Sequence, residues 1–186
     1  MAHKDPPEPW KSLLNEVDAA ATGEIALHCI GGFVLEIAYG LSRTTADLDF
    51  LCVAPPAQAE FLERFAGKGS PLARRIGAYL QHVTILSAYP DAYEDRLKAL
   101  FPGSYRHLRL WALDPHDLAL TKIERNWDLD RADLTLMAKA GLLDAVLLRQ
   151  RYDREMRPYL VGASRLDKTV DLWAEIIDSV APSERR

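Results

Sequence analysis

Two aspartates alternate with apolar residues in the run DLDFLCV, which spans Asp47 to Val53. In a β-strand, residues i and i+2 face the same side and lie roughly 6.6 Å apart along the chain. Asp47 and Asp49 therefore project together, whereas Leu48 and Phe50 face the other side, where they can pack. Two neighbouring carboxylates repel each other, and their uncompensated burial is costly. A hard divalent cation relieves both problems, so the spacing predicts a Mg²⁺ or Mn²⁺ site at Asp47 and Asp49.

A glycine pair precedes this strand. The apolar segment EIALHCI predicts a short strand that ends at Gly31 and Gly32, and FVLEIAY predicts a short helix closed by Gly40. Glycine lets a phosphate approach the backbone closely, and the start of a helix offers free N–H groups and a partial positive charge. A metal-binding carboxylate pair beside such a turn predicts a site for a nucleoside triphosphate.

Two further residues lie between this helix and the aspartate strand. The guanidinium of Arg43 is suited to holding a triphosphate, but pairing with Asp47 or with a helix C-terminus is an equal alternative. The hydroxyl of Thr44 is a candidate for positioning the triphosphate. Together with Gly31 and Gly32, these two residues make up the predicted nucleotide-binding set.

The elements that position these residues change in type along the chain. Before Asp114, predicted strands and helices are mixed, and the later strands are QHVTILSA and RHLRLWALD. After Asp114 the periodicity is helical only, in four segments: 115–125, 131–139, 142–157 and 165–179. We therefore predict an α+β fold in which residues 1–114 form a small mixed sheet with packed helices and residues 115–186 form a C-terminal helical lobe. A cleft between the two parts would suit a ligand.

Composition excludes several classes of protein. Of the 186 residues, 48% are hydrophobic and 27% are charged, and the net charge of -4 gives no overall field that would attract nucleic acid or membrane. Cys29 and Cys52 are too few for a disulfide framework or a cysteine-based zinc site, and each lies in an apolar run. No apolar segment approaches the ~20 residues of a membrane helix. We expect a cytoplasmic protein that has no membrane partner.

The glycine pair and the aspartate strand together resemble a known signature. IGGFVLEIAYG followed by RTTADLDF is similar to the nucleotidyltransferase superfamily pattern of a glycine turn, a helix and Asp-x-Asp on a strand. The closest resemblance is to the branch that holds the AbiEii-like and MenT-like abortive-infection toxins and their uncharacterised bacterial relatives. A second block, LDPHDLALTKIERNWDLDRADL, resembles that branch at Lys122, Asp130 and Asp133. The resemblance extends from about Glu24 to about Leu143.

This resemblance implies an activity and roles for residues. Asp47 and Asp49 would hold the metal and the triphosphate, Lys122 would contact phosphate, and Asp133, ranked above Asp130, would complete the catalytic site. The implied reaction is Mg²⁺-dependent transfer of a nucleoside monophosphate from a nucleoside triphosphate to an acceptor hydroxyl. The acceptor could be RNA, a protein side chain or a small molecule, and the toxin branch makes tRNA the first expectation. The expected protein partner is a cognate antitoxin.

One departure from the superfamily pattern supports an alternative. Many members carry a third carboxylate on a later strand, but the corresponding run here, QHVTILSA, offers only Gln81, His82 and Thr84 as polar members. Either Asp133 or Asp130 takes over that role, or catalysis is weak. The alternative is therefore a catalytically weak nucleotide-binding or protein-interaction module on the same fold.

Several of these residues also have an ordinary structural interpretation. Lys122 fits a solvated helix face, but its stem could equally pack while its amine reaches a cleft. Because an exposed or cleft lysine contributes little to folding, we expect Lys122→Ala to weaken triphosphate binding or transfer and to leave stability nearly unchanged. Asp130 fits the N-cap of the next helix with Asp133 at its third position. Arg96 fits a local helical ion pair with Asp91 or Glu94.

The remaining aromatic and basic residues favour structural roles as well. His82 on an apolar strand is expected to be structural. The basic run RQRYDREMRPY fits a solvated helix face, with contact to RNA as the other interpretation. Core or interface positions are the default for the tryptophans that fall at helical or strand spacing, which are Trp111, Trp127 and Trp173.

Overall fold

The computed structural model describes residues 5–84 and 88–180, which group into two compact units. The first unit consists of Met1–Thr84 and Leu97–Leu113, and the second of Ile85–Arg96 and Asp114–Arg186. The chain therefore passes from one unit to the other three times.

The first unit is built on a five-stranded sheet with the strand order β3-β2-β1-β5-β4. The strands are β1 (Ile25–Ile30), β2 (Asp47–Ala54), β3 (Tyr79–His82), β4 (Lys98–Leu100) and β5 (Leu108–Ala112). The β1–β2 and β4–β5 pairs are antiparallel, and the β1–β5 and β2–β3 pairs are parallel. The predicted mixed sheet is thus confirmed.

Four helices accompany this sheet: α1 (Trp10–Ala20), α2 (Gly31–Ile37), α3 (Gln58–Ala66) and α4 (Pro71–Ile76). Helix α1 buries one face at i, i+3, i+4 and i+7, through Trp10, Leu13, Leu14 and Val17. Its Trp10 ring packs edge-to-face on Phe33 of α2, with 5.0 Å between ring centroids. Every residue of α2 except Glu36 is buried, so the helix that follows the glycine pair has a fixed place in the core.

The second unit contains only helices among its described residues. They are α5 (Pro115–Leu120), α6 (Asp128–Lys139), α7 (Ala145–Arg151) and α8 (Ser164–Val180), with a π-helical turn (Tyr152–Met156) and two 3₁₀ turns (Tyr93–Arg96 and Arg157–Tyr159). Among residues 5–84 and 88–180 no strand follows Ala112, which agrees with the predicted change of periodicity. The α+β class is confirmed. None of the helices in this part of the chain has the length and apolarity to cross a bilayer.

Some predicted boundaries are wrong. Helix α6 begins at Asp128 rather than at residue 131, and α7 begins at Ala145, where the side chain of Asp144 accepts a hydrogen bond from the Leu147 N–H (2.8 Å). Strand β4 was not predicted, because three residues at the edge of a sheet are too few to show an alternation. The predicted strand QHVTILSA corresponds to the end of β3, and its residues 85–87 lie outside the described residues.

Candidate functional site

Strand β2 presents an acidic face. Leu48 and Phe50 are buried, whereas Asp47 and Asp49 are half-buried, so the two carboxylates share the opposite side of the strand. In the parallel β2–β3 pair, Asp47 is opposite Tyr79 and Asp49 is opposite Gln81. Side chains of directly paired residues lie on the same face of a sheet. The acidic face therefore consists of Asp47, Asp49, Tyr79 and Gln81.

The glycine turn lies against this face. Gly31 has φ +73, in the left-handed region, and a Cβ atom there would overlap the carboxylate of Asp49. A Cβ atom on Gly32 would come within 3.1 Å of the Thr45 Cβ. Glycine is required at position 31 for both its backbone conformation and its close approach to a carboxylate. The turn is thus adapted to the acidic residue beside it.

Two hydroxyl groups hold the carboxylate of Asp47. The Thr45 hydroxyl donates to Oδ1, and the Tyr79 hydroxyl donates to Oδ2 at 3.4 Å. Burial raises the pKa of Tyr79, and the negative charges of Asp47 and Asp49 raise it further. Tyr79 therefore stays protonated at neutral pH and remains a donor. The carboxylate is thus oriented by two neutral donors.

Sequence reasoning named Thr44 as the hydroxyl of the site, whereas Thr45 is the residue that contacts Asp47. The Nη1 of Arg43 donates to the backbone carbonyl of Thr44 (3.1 Å). Tyr79 was missed because its place depends on the register of a parallel strand 32 residues away from Asp47. Tyr79 also lies outside the predicted strand QHVTILSA, so no local signal indicated such a role.

The donor set fits a hard divalent cation that needs few protein ligands. Among the described residues there is no group of three or more His, Cys, Asp or Glu side chains that could hold a metal ion. Mg²⁺, however, is commonly bound through one or two carboxylates, and waters and substrate phosphates complete its shell. Asp47 and Asp49, half-buried and on one face, match that requirement.

In the second unit, Lys122 and Asp133 form a buried ion pair. The Nζ of Lys122 lies 2.5 Å from Oδ2 of Asp133, and the two residues are 8% and 3% exposed. The interpretation of Lys122 as a solvated helix residue is therefore wrong. The expectation that Lys122→Ala would leave stability unchanged loses its basis, because the substitution would remove the cation that Asp133 contacts.

Asp130 is not the N-cap of α6. The helix begins two residues earlier, with Trp127 as N-cap, so Asp130 occupies the third helical position and its Oδ2 accepts from the Trp127 N–H (3.0 Å). Arg125 binds the same carboxylate through Nε (2.9 Å) and Nη2 (2.5 Å). Burial on its own would raise the pKa of Asp130. The hydrogen bonds from Arg125 and Trp127, with the charges of Arg125 and Lys122, lower it instead.

Arg96 also differs from expectation. It was expected to pair with Asp91 or Glu94 on one helix, but the 3₁₀ turn Tyr93–Arg96 does not provide helical spacing. Its guanidinium instead binds the fully buried Asp117 through Nε (2.8 Å) and Nη2 (3.0 Å), and Glu155 through Nη2 (2.6 Å). Asp117 also accepts from Arg151 (2.9 Å).

The predicted site residues fall in both units. Gly31, Asp47 and Asp49 are brought together in the first unit, which also contains Gly32, Arg43 and Thr44. Lys122 and Asp133 are brought together in the second.

Comparison with known proteins identifies a family. The model of a family described as "Nucleotidyltransferase of unknown function (DUF6036)" matches residues 11–180. The match includes all the predicted site residues of both units. No match was found among curated proteins or among solved structures.

Proposed function

The chain belongs to this family of nucleotidyltransferases of unknown function, and from that premise we propose that it is a Mg²⁺-dependent nucleotidyltransferase. It would transfer a nucleoside monophosphate from a nucleoside triphosphate to an acceptor hydroxyl. The observation that carries the proposal is the acidic face of β2, where Asp47 and Asp49 lie side by side next to a glycine turn. In the reaction, the acceptor hydroxyl gives up its proton to solvent and its oxygen bonds to the α-phosphorus, the bond from the α-phosphorus to the α,β-bridging oxygen breaks, and pyrophosphate leaves.

Each residue of the acidic face has a role in this proposal. Mg²⁺, when bound, would supply positive charge that offsets the charge developing on the phosphate oxygens. Asp47 and Asp49 would hold it, and Thr45 and Tyr79 would keep the Asp47 carboxylate in one orientation. Pre-orientation of this kind reduces the free energy that has to be spent on ordering the site when substrate binds.

Lys122 would contact phosphate in the same reaction. Its ammonium has three donors, and the ion pair with Asp133 uses one of them and fixes the position of the group. A lysine held in this way can act as a compact point charge. Asp133 would then act through Lys122, as a positioning residue.

We propose RNA, with tRNA first, as the acceptor, and a role as the toxin of a toxin–antitoxin pair. Both proposals rest on the resemblance of RTTADLDF and of the Lys122 block to the toxin branch. They predict an antitoxin protein as the partner of this chain.

A second candidate function has its own observation. Gln81, which is not a carboxylate, is paired with Asp49 on the acidic face, and the described residues hold no group of three metal ligands. A site with two carboxylates is sufficient to bind a metal–triphosphate complex. This arrangement favours a nucleotide-binding module with weak or no transfer activity.

One labelling experiment separates the two candidates. The purified protein is incubated with each α-labelled nucleoside triphosphate, Mg²⁺ and total tRNA, and label is measured both in RNA and in protein. Asp49→Asn removes a charge from the site, and Asp178→Asn on the exposed side of α8 is the matched control. Transfer that is lost at least about 100-fold in Asp49→Asn and retained in Asp178→Asn supports the enzyme. Triphosphate binding without transfer supports the module, and neither binding nor transfer overturns both.

A further inference from the structure

Trp127 differs from the other tryptophans in exposure. It is 63% exposed, whereas Trp10 and Trp173 are 2% and 0% exposed. Its position between α5 and α6 was expected to be core or interface, and the exposure excludes the core. A large, solvent-facing aromatic ring is a group through which proteins bind flat ligands.

The backbone that carries Trp127 is held in place from several directions. The preceding residue, Asn126, has a left-handed φ of 45, and its N–H donates to the Lys122 carbonyl (3.0 Å). Its side-chain Oδ1 accepts from the indole N–H of the buried Trp173 (3.0 Å), and its carbonyl accepts from Arg131 (2.5 Å). These contacts give the exposed ring one fixed place on the surface of the second unit.

One face of the ring is occupied by a cation. The guanidinium carbon of Arg125 lies 4.8 Å from the centroid of the Trp127 ring, and Asp130 holds that guanidinium by two hydrogen bonds. Asp130 also binds the Trp127 N–H, so one carboxylate orients both members of the stack. Because one face is covered by Arg125, the high exposure of the ring comes largely from its other face.

The charges around the ring indicate what kind of ligand fits that face. The stretch 122–133 that carries the ring contains Lys122, Arg125 and Arg131 as basic residues and Glu124, Asp128, Asp130 and Asp133 as acidic ones, and Arg165 binds the Glu124 carbonyl of the same stretch (3.3 Å). Since the two groups balance, the region has no excess of positive charge with which to follow a phosphate backbone. A planar, uncharged ring is therefore the ligand that this surface should bind most favourably.

We propose that Trp127 is a stacking site for a nucleobase. The proposal rests on the proposed function, because nucleotides are the substrates of that reaction and supply such rings. The base can come from the nucleoside triphosphate or from the RNA acceptor, and the experiments below distinguish these sources. Leu129, 51% exposed, makes a protein partner the competing occupant, since Trp, Arg and apolar residues also form protein interfaces.

The first experiment measures tryptophan fluorescence. Stacking of a base on Trp127 is expected to quench the emission of this most exposed indole. The wild type is titrated with nucleosides that lack phosphates, with a nucleoside triphosphate in the absence of metal, and with single-stranded RNA. Quenching by nucleosides that disappears in Trp127→Phe supports the proposal. No quenching, or quenching that persists in Trp127→Phe, overturns it.

The second experiment measures affinity with a fluorescent nucleotide and, separately, a labelled RNA, by fluorescence anisotropy. Trp127→Ala is expected to weaken binding about tenfold, and Trp127→Phe, which keeps a ring, to recover most of it. Tyr159→Ala is the matched control, because Tyr159 is an aromatic residue of the same unit with 62% exposure. A loss confined to one of the two ligands identifies the source of the base. Unchanged affinity for both in Trp127→Ala overturns the proposal and favours a protein interface.

The same titrations keep this proposal apart from the proposed function. Asp49→Asn is expected to lose binding of the metal–triphosphate complex and to keep the quenching by phosphate-free nucleosides. Quenching without any nucleotide transfer would contradict the proposed function alone. Transfer by a protein whose Trp127 emission no nucleoside quenches would contradict the stacking site alone.

Discussion

The two units hold their charged residues in different ways. In the first unit the carboxylate of Asp47 is half-buried and bound by two neutral hydroxyls. In the second unit the carboxylate of Asp133 is buried and paired at 2.5 Å with Lys122. A half-buried carboxylate held by neutral donors can bind a cation from solution as well, whereas the two charges of the buried pair are already matched to each other. The difference indicates that the acidic face is the part suited to ligand binding, and that the buried pair contributes mainly by keeping a lysine in place.

Breaking the buried ion pair of Lys122 and Asp133 should have the largest effect on stability. Lys122→Met removes the cation that lies 2.5 Å from the buried Asp133, so we expect a loss of about 3–5 kcal/mol in the free energy of unfolding, measured by urea denaturation. The double variant Lys122→Met/Asp133→Leu should recover most of this loss, because it removes both charges together. A single variant as stable as the wild type would show that the pair is not buried in solution.

Asp130→Asn should lower the free energy of unfolding by a smaller amount, and this amount should depend on pH. Its lowered pKa means that it contributes stability above the ordinary pKa of an aspartate, about 3.9, and that this contribution is lost as the pH falls through the folded-state pKa. Asp130→Asn should therefore cost about 1.5–3 kcal/mol at pH 7, and the difference from the wild type should shrink below pH 4. Denaturation series at pH 7 and at pH 3 measure it. A difference that is the same at both pH values would mean that the cost does not come from the charge.

The acidic face should show its effect in metal binding. Asp49→Asn removes one of the two carboxylates that share this face, so a metal ion would keep only one charged ligand there. Mn²⁺ binding, followed by electron paramagnetic resonance, should be lost in the same variant. A marked loss of stability would place Asp49 among the structural carboxylates, with Asp133.

The smallest effect tests the orientation of Asp47. Tyr79→Phe removes only a hydroxyl, and we expect Mn²⁺ affinity to fall roughly threefold, in line with the loss of one hydrogen bond of about 0.5–1.5 kcal/mol. Tyr159→Phe is the matched control, because its hydroxyl also donates to a carboxylate, that of Asp91 (3.3 Å). Equal Mn²⁺ affinity in the two variants would remove Tyr79 from the site.

The sequence predicted the part of the site that has a local residue pattern. The period of two in DLDFLCV was sufficient to place Asp47 and Asp49 on the same side of a strand, and the glycine pair marked the turn before α2. The alternation of strands and helices was likewise sufficient for the α+β class. Strand β4 and the starts of α6 and α7 were missed or misplaced, because short edge strands and helix ends depend on neighbours that no local pattern specifies.

The sequence by itself determined which residue types alternate and where the chain turns, since these features depend on residues within a few positions of each other. Only the tertiary structure decided that Tyr79 is paired with Asp47, that Arg96 binds Asp117 and Glu155, and that Lys122 is buried against Asp133. It also decided that Trp127 faces solvent while Trp173 does not. Register, burial and ion pairing are set by contacts between segments distant in the chain. A lysine or a tryptophan therefore contributes differently to stability when it is buried than when it faces solvent.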